Sequence, residues 1–361
     1  GATTVASGAA LSISGGITVA EPITISGTGI SSGGAIVFTG GNNTYSGAIT
    51  VGATSTIVSS SGAQTISGTV DGGQALTITA NGNLIVSGAV GGSTDLSSYS
   101  VTTTNSSSQT FSANVETTGN QTYTAAGGIV TSGARTFDSS GGTVNFASAL
   151  SGNNNVTVTG NADIDGAITD IAVLSISGTS NIGADITTSG TQTYTGAVTL
   201  SANVTLTSSG DVITFSNTVN SDGSTRNLTI ATGGNSTEIN FDGVVGGSAA
   251  VGAITITGAL DLNAPIISAT SLSVSGVSNL GANVTTSGTQ TYLAATTLSG
   301  GARTLAGSTI QTVAVNGAQN LTITGNLDLN GAITQVAVFA VSGTTDLGAN
   351  VTTTGTQTYS G

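Results

Sequence analysis

Apolar and polar residues alternate in this chain over three to five positions, and each run stops at Gly, Ser, Asn or Asp. Val198 and Leu200, Val204 and Leu206, Ile254 and Ile256, and Leu260 and Leu262 keep this rhythm. A two-residue period is that of a strand with one buried face, and no eleven-residue window carries a helical stripe. Turn residues recur every 6 to 10 positions, so the predicted strands are short and numerous.

The strands are written in repeated phrases. TTSGTQTYTG at 187–196 returns as TTSGTQTYLA at 285–294, TTTGTQTYSG at 352–361 and TTGNQTYTAA at 117–126. Three forty-residue blocks, 155–194, 253–292 and 320–359, align without a gap, and divergent copies lie in 1–154. Asp163, Asp261 and Asp328 each precede a tyrosine, Tyr194, Tyr292 and Tyr359, by 31 residues. A second phrase ends in phenylalanine: AIVF at 35, TVNF at 143, VITF at 212 and EINF at 238.

Short strands, regular turns and near-identical phrases predict an all-β fold, one continuous β-solenoid over residues 1–361 with like residues stacked in ladders. At about 20 residues per coil the chain makes roughly 18 coils, and at ~4.8 Å per coil a rod on the order of 85 Å long. Gln121, Tyr123, Gln192, Tyr194, Gln290, Tyr292, Gln357 and Tyr359 are the expected structural ladder residues.

Composition narrows the function. Hydrophobic residues make up 37% of the 361, enough for a core, whereas charged residues make up 5%. The chain has no Cys, Met, Trp, His or Lys, and its only cations are Arg135, Arg226 and Arg303 against a net charge of −13. Nucleic acid and anionic membrane surfaces are therefore poor partners. No run of 18 apolar residues is present to span a bilayer, and the opening GATTVASGAA lacks the pattern of a signal peptide, so any export signal is expected outside this sequence.

Candidate chemistry is sparse. Arg135 in ARTF and Arg303 in ARTL occupy the slot that Gln fills in QTY, QTF, QTI and QTV, and Arg226 in RNL matches Gln319 in QNL. A slot that takes Gln or Arg asks for an NH fork against carbonyls, not for a catalytic cation. Asp165 is replaced by Asn263 and Asn330 in the other blocks, and Asp185 by Asn283 and Asn350, which is the behaviour of turn positions. Asp163 and Asp165, followed by Gly166, are the candidate calcium ligands, but no Ca²⁺-binding nonapeptide or EF-hand loop is present and a solvated strand edge is the preferred reading. No catalytic residue and no cofactor is expected. Asn155, Asn203, Asn227, Asn283, Asn320 and Asn350 begin NxT tripeptides that read as turn grammar, and the TxT triplets read as an outer face or as an ice-binding threonine array.

The two ends of the sequence are complementary. Residues 2–19 match the continuation of the internal copy after 196, with Val5 on Leu200, Leu11 on Leu206 and Gly15 on Gly210. Neither end carries a capping pattern, so the sequence is expected to be one period of a longer tandem array or a subunit whose open ends stack head to tail, with Ala2, Val5, Leu11, Gln357 and Tyr359 in the contact.

GGNNTYSGAITVGATSTI at 40–57 resembles the autotransporter-associated β-strand repeat, and GTQTYTGAVTLSANVTLTSSGDVITFSNTVN at 190–220 resembles repeats of filamentous-haemagglutinin-like exoproteins. The resemblance implies a right-handed parallel β-helix, export to a bacterial surface, and a role in a surface filament or in adhesion. The family's amino-terminal secretion domain, carboxy-terminal barrel and RGD tripeptide have no counterpart here, so no site residue carries over. The leading expectation is a non-enzymatic, self-associating structural element, secreted to the cell surface or into an extracellular filament. The alternative is an adhesin that binds extracellular glycans or partner cells through exposed tyrosines such as Tyr45, Tyr99 and those of QTY. A polysaccharide-active enzyme and an ice-binding solenoid rank below both.

Overall fold

The computed structural model describes residues 3–234 and 236–361, and the chain divides into two compact units, Gly1–Gly178 and Thr179–Gly361. Each unit is a β-solenoid of parallel, stacked coils, about 18 turns over the chain. Every strand pairing that the register defines is parallel, and each coil contributes a strand to three ladders.

In the first unit one ladder runs Leu11, Ile36, Ile57, Ile78, Val101, Tyr123, Phe146 and Ile164. From Ile36 onward these side chains are at most 1% exposed. A second ladder takes Ile23, Ile49, Val70, Val90, Val115, Phe137, Val158 and Ile176. The third takes Gln64, Leu84, Gln109, Ile129, Leu150 and Ile168. Alternation places these residues inward and their neighbours outward, so the core is the lumen enclosed by the ladders.

The second unit repeats the plan. Leu206, Ile230, Ile256, Val274 and Tyr292 form one inner ladder, and Tyr194, Phe215, Phe241, Leu262, Leu280 and Leu298 another. The third passes through Val284, Leu305, Ile323, Val341 and Tyr359.

Two features depart from the expected regularity. Coils vary from 18 residues, Val158 to Ile176, to 26, Ile23 to Ile49, because surface turns absorb insertions without disturbing the ladders. Some strands are long: Arg135–Phe146 spans 12 residues and Arg303–Asn316 spans 14. These continue round a corner through a register shift, between Asp138 and Thr143 and between Ala306 and Thr309, so that one strand serves more than one ladder.

Backbone crowding fixes some corners. A Cβ on Gly68 would fall on the carbonyl of Gly47, and one on Gly88 on the carbonyl of Gly68. This column has glycine in successive coils because the chain bends there against the coil beneath it.

Candidate functional site

The repeated QTY phrase forms one recurring buried corner. In the copy at 188–194 the Thr188 hydroxyl donates to the Gly190 carbonyl at 2.6 Å and closes the turn. Gln192 then folds inward, and its Nε2 reaches the Thr188 hydroxyl at 3.2 Å and the carbonyl of Thr207, one coil on, at 2.8 Å. Oε1 of Gln192 accepts from the Tyr194 hydroxyl at 2.9 Å. Gln192 and Tyr194 are both fully buried, so the amide and the phenol satisfy one another in a dry lumen.

The same bonds recur at Thr117, Gln121 and Tyr123, where the Tyr123 hydroxyl lies 2.8 Å from Gln121 Oε1 and Gln121 Nε2 reaches the carbonyl of Asp138 at 2.6 Å. They recur again at Thr286, Gln290 and Tyr292, with 3.1 Å for the phenol and 2.8 Å to the carbonyl of Ala306. At Thr353, Gln357 and Tyr359 the local bonds are kept, with 3.0 Å between the Tyr359 hydroxyl and Gln357 Oε1.

These copies are not stacked on one another. Gln121 lies between Tyr99 and Val144, and Gln192 borders Ile213. Gln290 lies between Leu272 and Ile310, and Gln357 borders Phe339. Within the second unit they fall on three different ladders. What stacks on a QTY tyrosine in two cases is the phenylalanine of the other phrase. Tyr123 lies on Phe146 at 5.6 Å, and Tyr194 lies on Phe215 at 5.2 Å, followed by Phe241 at 5.0 Å.

The variants of the corner follow its logic. Gln109, in QTF, donates from Nε2 to the carbonyls of Val101 and Thr124, but Phe111 offers no hydroxyl and Gln109 Oε1 has no partner. Gln64, in QTI, is completed by Asn43, whose Nδ2 and backbone N–H donate to its Oε1 at 3.1 and 3.2 Å. Arg135 donates twice to the carbonyl of Ser132, and Arg303 donates to the carbonyls of Leu280, Ala302 and Ser299. Arg226 instead makes a two-point pair with Asp222 at 2.8 and 3.0 Å, which holds the Asp222 carboxyl below its usual range.

Turn carboxylates and amides act as acceptors for the next coil. Asp185 Oδ1 takes the backbone N–H of Thr205 at 2.7 Å, and Asn283 Oδ1 takes that of Thr304 at 2.9 Å. Only an oxygen is required, which explains the Asn/Asp exchange. Asp163 and Asp165 both receive Nδ2 of Asn145, at 2.7 and 3.2 Å, and Asp261 receives Nδ2 of Asn263 and Asn279. Asp328 is met by Gln311 and Asn330. Among the described residues no group of three or more His, Cys, Asp or Glu is arranged to hold a metal ion.

Glu116 and Asp138 are directly opposed on neighbouring strands. Partial burial, then repulsion from Asp95, raises both carboxyls, and Glu116 also feels Asp138 and Asp71.

Of the six tyrosines considered for a glycan-stacking face, five are buried and Tyr359 is 40% exposed. Tyr45, Tyr99, Tyr123, Tyr194 and Tyr292 are all at most 1% exposed, because their rings fill the lumen. Burial, then the nearby Glu21 charge, pushes the Tyr45 phenol up to about 12. Of the residues expected at an end contact, Val5 is buried, Leu11 is half-buried, and Gln357 and Tyr359 are exposed, while Ala2 lies outside the described residues.

The Thr–Gln–Tyr network escaped sequence reasoning, although a signal was present: Thr, Gln and Tyr keep the spacing i, i+4 and i+6 in all four copies. No protein-family model matches the chain, and no curated protein or solved structure is found to be similar to it.

Proposed function

We propose that this chain is a structural, non-enzymatic element of a bacterial cell-surface or extracellular filament, built by stacking solenoid coils end to end. One observation carries the reading: strands of successive coils pair in parallel register, as in the buried ladder from Ile36 through Ile57, Ile78, Val101, Tyr123 and Phe146 to Ile164, so each coil is a template for another of the same kind.

Mechanically the design suits a fibre. Load along the axis is shared by three parallel hydrogen-bonded ladders and by buried amide corners. The resemblance to haemagglutinin-like and autotransporter repeats supports an exported, surface setting.

Electron microscopy of the purified protein tests this reading, with filaments expected. Single, unassociated particles at all concentrations would overturn it.

A further inference from the structure

Beyond the filament reading, the first unit carries a surface whose regularity selects an unusual kind of partner. On the ladder Ser55–Ser59, Ala75–Ala80, Ser98–Thr103 and Gln121–Ala125, the outward residues stand in register across four coils. One column is Thr56, Thr77, Ser100 and Thr122, and its neighbour is Val58, Thr79, Thr102 and Thr124. Seven of the eight carry a hydroxyl. Thr77 and Thr124 are exposed and the others half-buried.

The columns on either side are also uncharged. Ala75 and Ser98 lie beyond the first, and Ser60, Asn81 and Thr104 beyond the second, with the Thr104 hydroxyl donating to Asn81 Oδ1 at 2.7 Å. The opposed acids of this unit, Glu116 and Asp138, belong to another ladder. The column from Thr56 to Thr122 continues into Asn145 and then Asp163, so the first acid along it stands two coils beyond the grid.

The grid is a two-dimensional lattice. Its rows are ~4.8 Å apart across the coils and its columns ~6.6 Å apart along the strand, both set by the backbone and not by side-chain adjustment. Threonine is stiff at χ1, so the six threonines offer a methyl and a hydroxyl in a fixed pattern, while Ser100 supplies a hydroxyl alone and Val58 methyls alone. Four coils by a five-residue span cover roughly 300 Å², against the ~800 Å² per partner of a standard protein interface. A protein partner is therefore under-supplied with area. A freely tumbling sugar chain matches one row and gains nothing from the second dimension. A crystal face matches both, and the crystal whose oxygen rows repeat at comparable spacings and bond to methyl-flanked hydroxyls is ice.

We infer that the Thr77–Thr79, Ser100–Thr102, Thr122–Thr124 face binds ice, ordering water between its hydroxyls into the lattice. The outward Thr205, Thr229, Thr255, Ser273 and Thr291 row of the second unit repeats the motif in single file.

Thermal hysteresis and ice-recrystallisation inhibition by the full chain test the inference. The unaltered protein is expected to show both, and Thr102→Lys to lose both, while Thr50→Lys, an exposed change on a different ladder, retains them. Thr124→Lys, at an exposed grid position, serves as the second variant if Thr102→Lys melts early. Absence of both activities in the unaltered chain overturns the inference, as does activity retained by folded grid variants. Co-sedimentation with insoluble cellulose or chitin in place of ice also overturns it, and would assign the face to a crystalline polysaccharide. Filament formation is scored separately by microscopy, so neither result depends on the other.

Discussion

The Tyr194 hydroxyl donates to Oε1 of Gln192 at 2.9 Å with both side chains out of contact with solvent. Removing the phenol oxygen leaves a buried amide acceptor unmet while changing little else in shape. Tyr194→Phe is therefore expected to cost about 1–3 kcal/mol in urea or thermal unfolding. An unchanged midpoint would mean that the hydroxyl is not part of the corner's stability.

The converse change already has its site. Gln109 Oε1 lacks a partner because residue 111 is phenylalanine. Phe111→Tyr places a hydroxyl at the same i+2 position and is expected to add about 0.5–1.5 kcal/mol, read as a raised melting temperature. A lowered one would show that the lumen there has no room for the oxygen.

Exchange between Asn and Asp at a turn is predicted to be mild and loss of the acceptor is not. Asn283 Oδ1 holds the Thr304 N–H at 2.9 Å, as Asp185 holds Thr205. Asn283→Asp is expected within ~0.5 kcal/mol of the parent, and Asn283→Ala to lose about 1 kcal/mol, measured by denaturant titration.

Stacked aromatics in the second unit are a larger investment. Phe215 lies between Tyr194 and Phe241 at 5.2 and 5.0 Å with near-parallel rings. Phe215→Ala is expected to cost about 3–5 kcal/mol, with hydrogen exchange rising in the strands around 194, 215 and 241. A loss confined below ~1 kcal/mol would mean that neighbouring coils collapse into the space.

The opposed acids set a pH dependence. Burial, then repulsion from Asp95, raises the Glu116 and Asp138 carboxyls in the folded state, with Asp138 adding to the effect on Glu116, so folding favours their protonated forms. Their contribution is unfavourable at neutral pH and is relieved as pH falls through the raised values. The Asp222 carboxyl, lowered by Arg226, runs the other way and loses its contribution at still lower pH. Thermal melts are therefore expected to rise on mild acidification and fall again in stronger acid. Glu116→Gln should raise the neutral-pH melting temperature and flatten the first limb; an unchanged limb would remove these two groups as its cause.

The sequence by itself determined the β class, the inward phase of each strand and the interchangeability of Asn and Asp in turns. Each of these depends on residues a few positions apart, where alternation and turn chemistry act directly. The Thr, Gln and Tyr spacing was legible for the same reason. Only the tertiary structure decided which ladder each phrase occupies, because coils of 18 to 26 residues let identical phrases drift from one face to another. It also set Tyr123 and Tyr194 against the phenylalanines one coil away, Phe146 and Phe215. The charge-free hydroxyl grid was likewise the structure's to decide, since it is assembled from residues such as Thr79, Thr102 and Thr124 whose adjacency exists only once the coils have stacked.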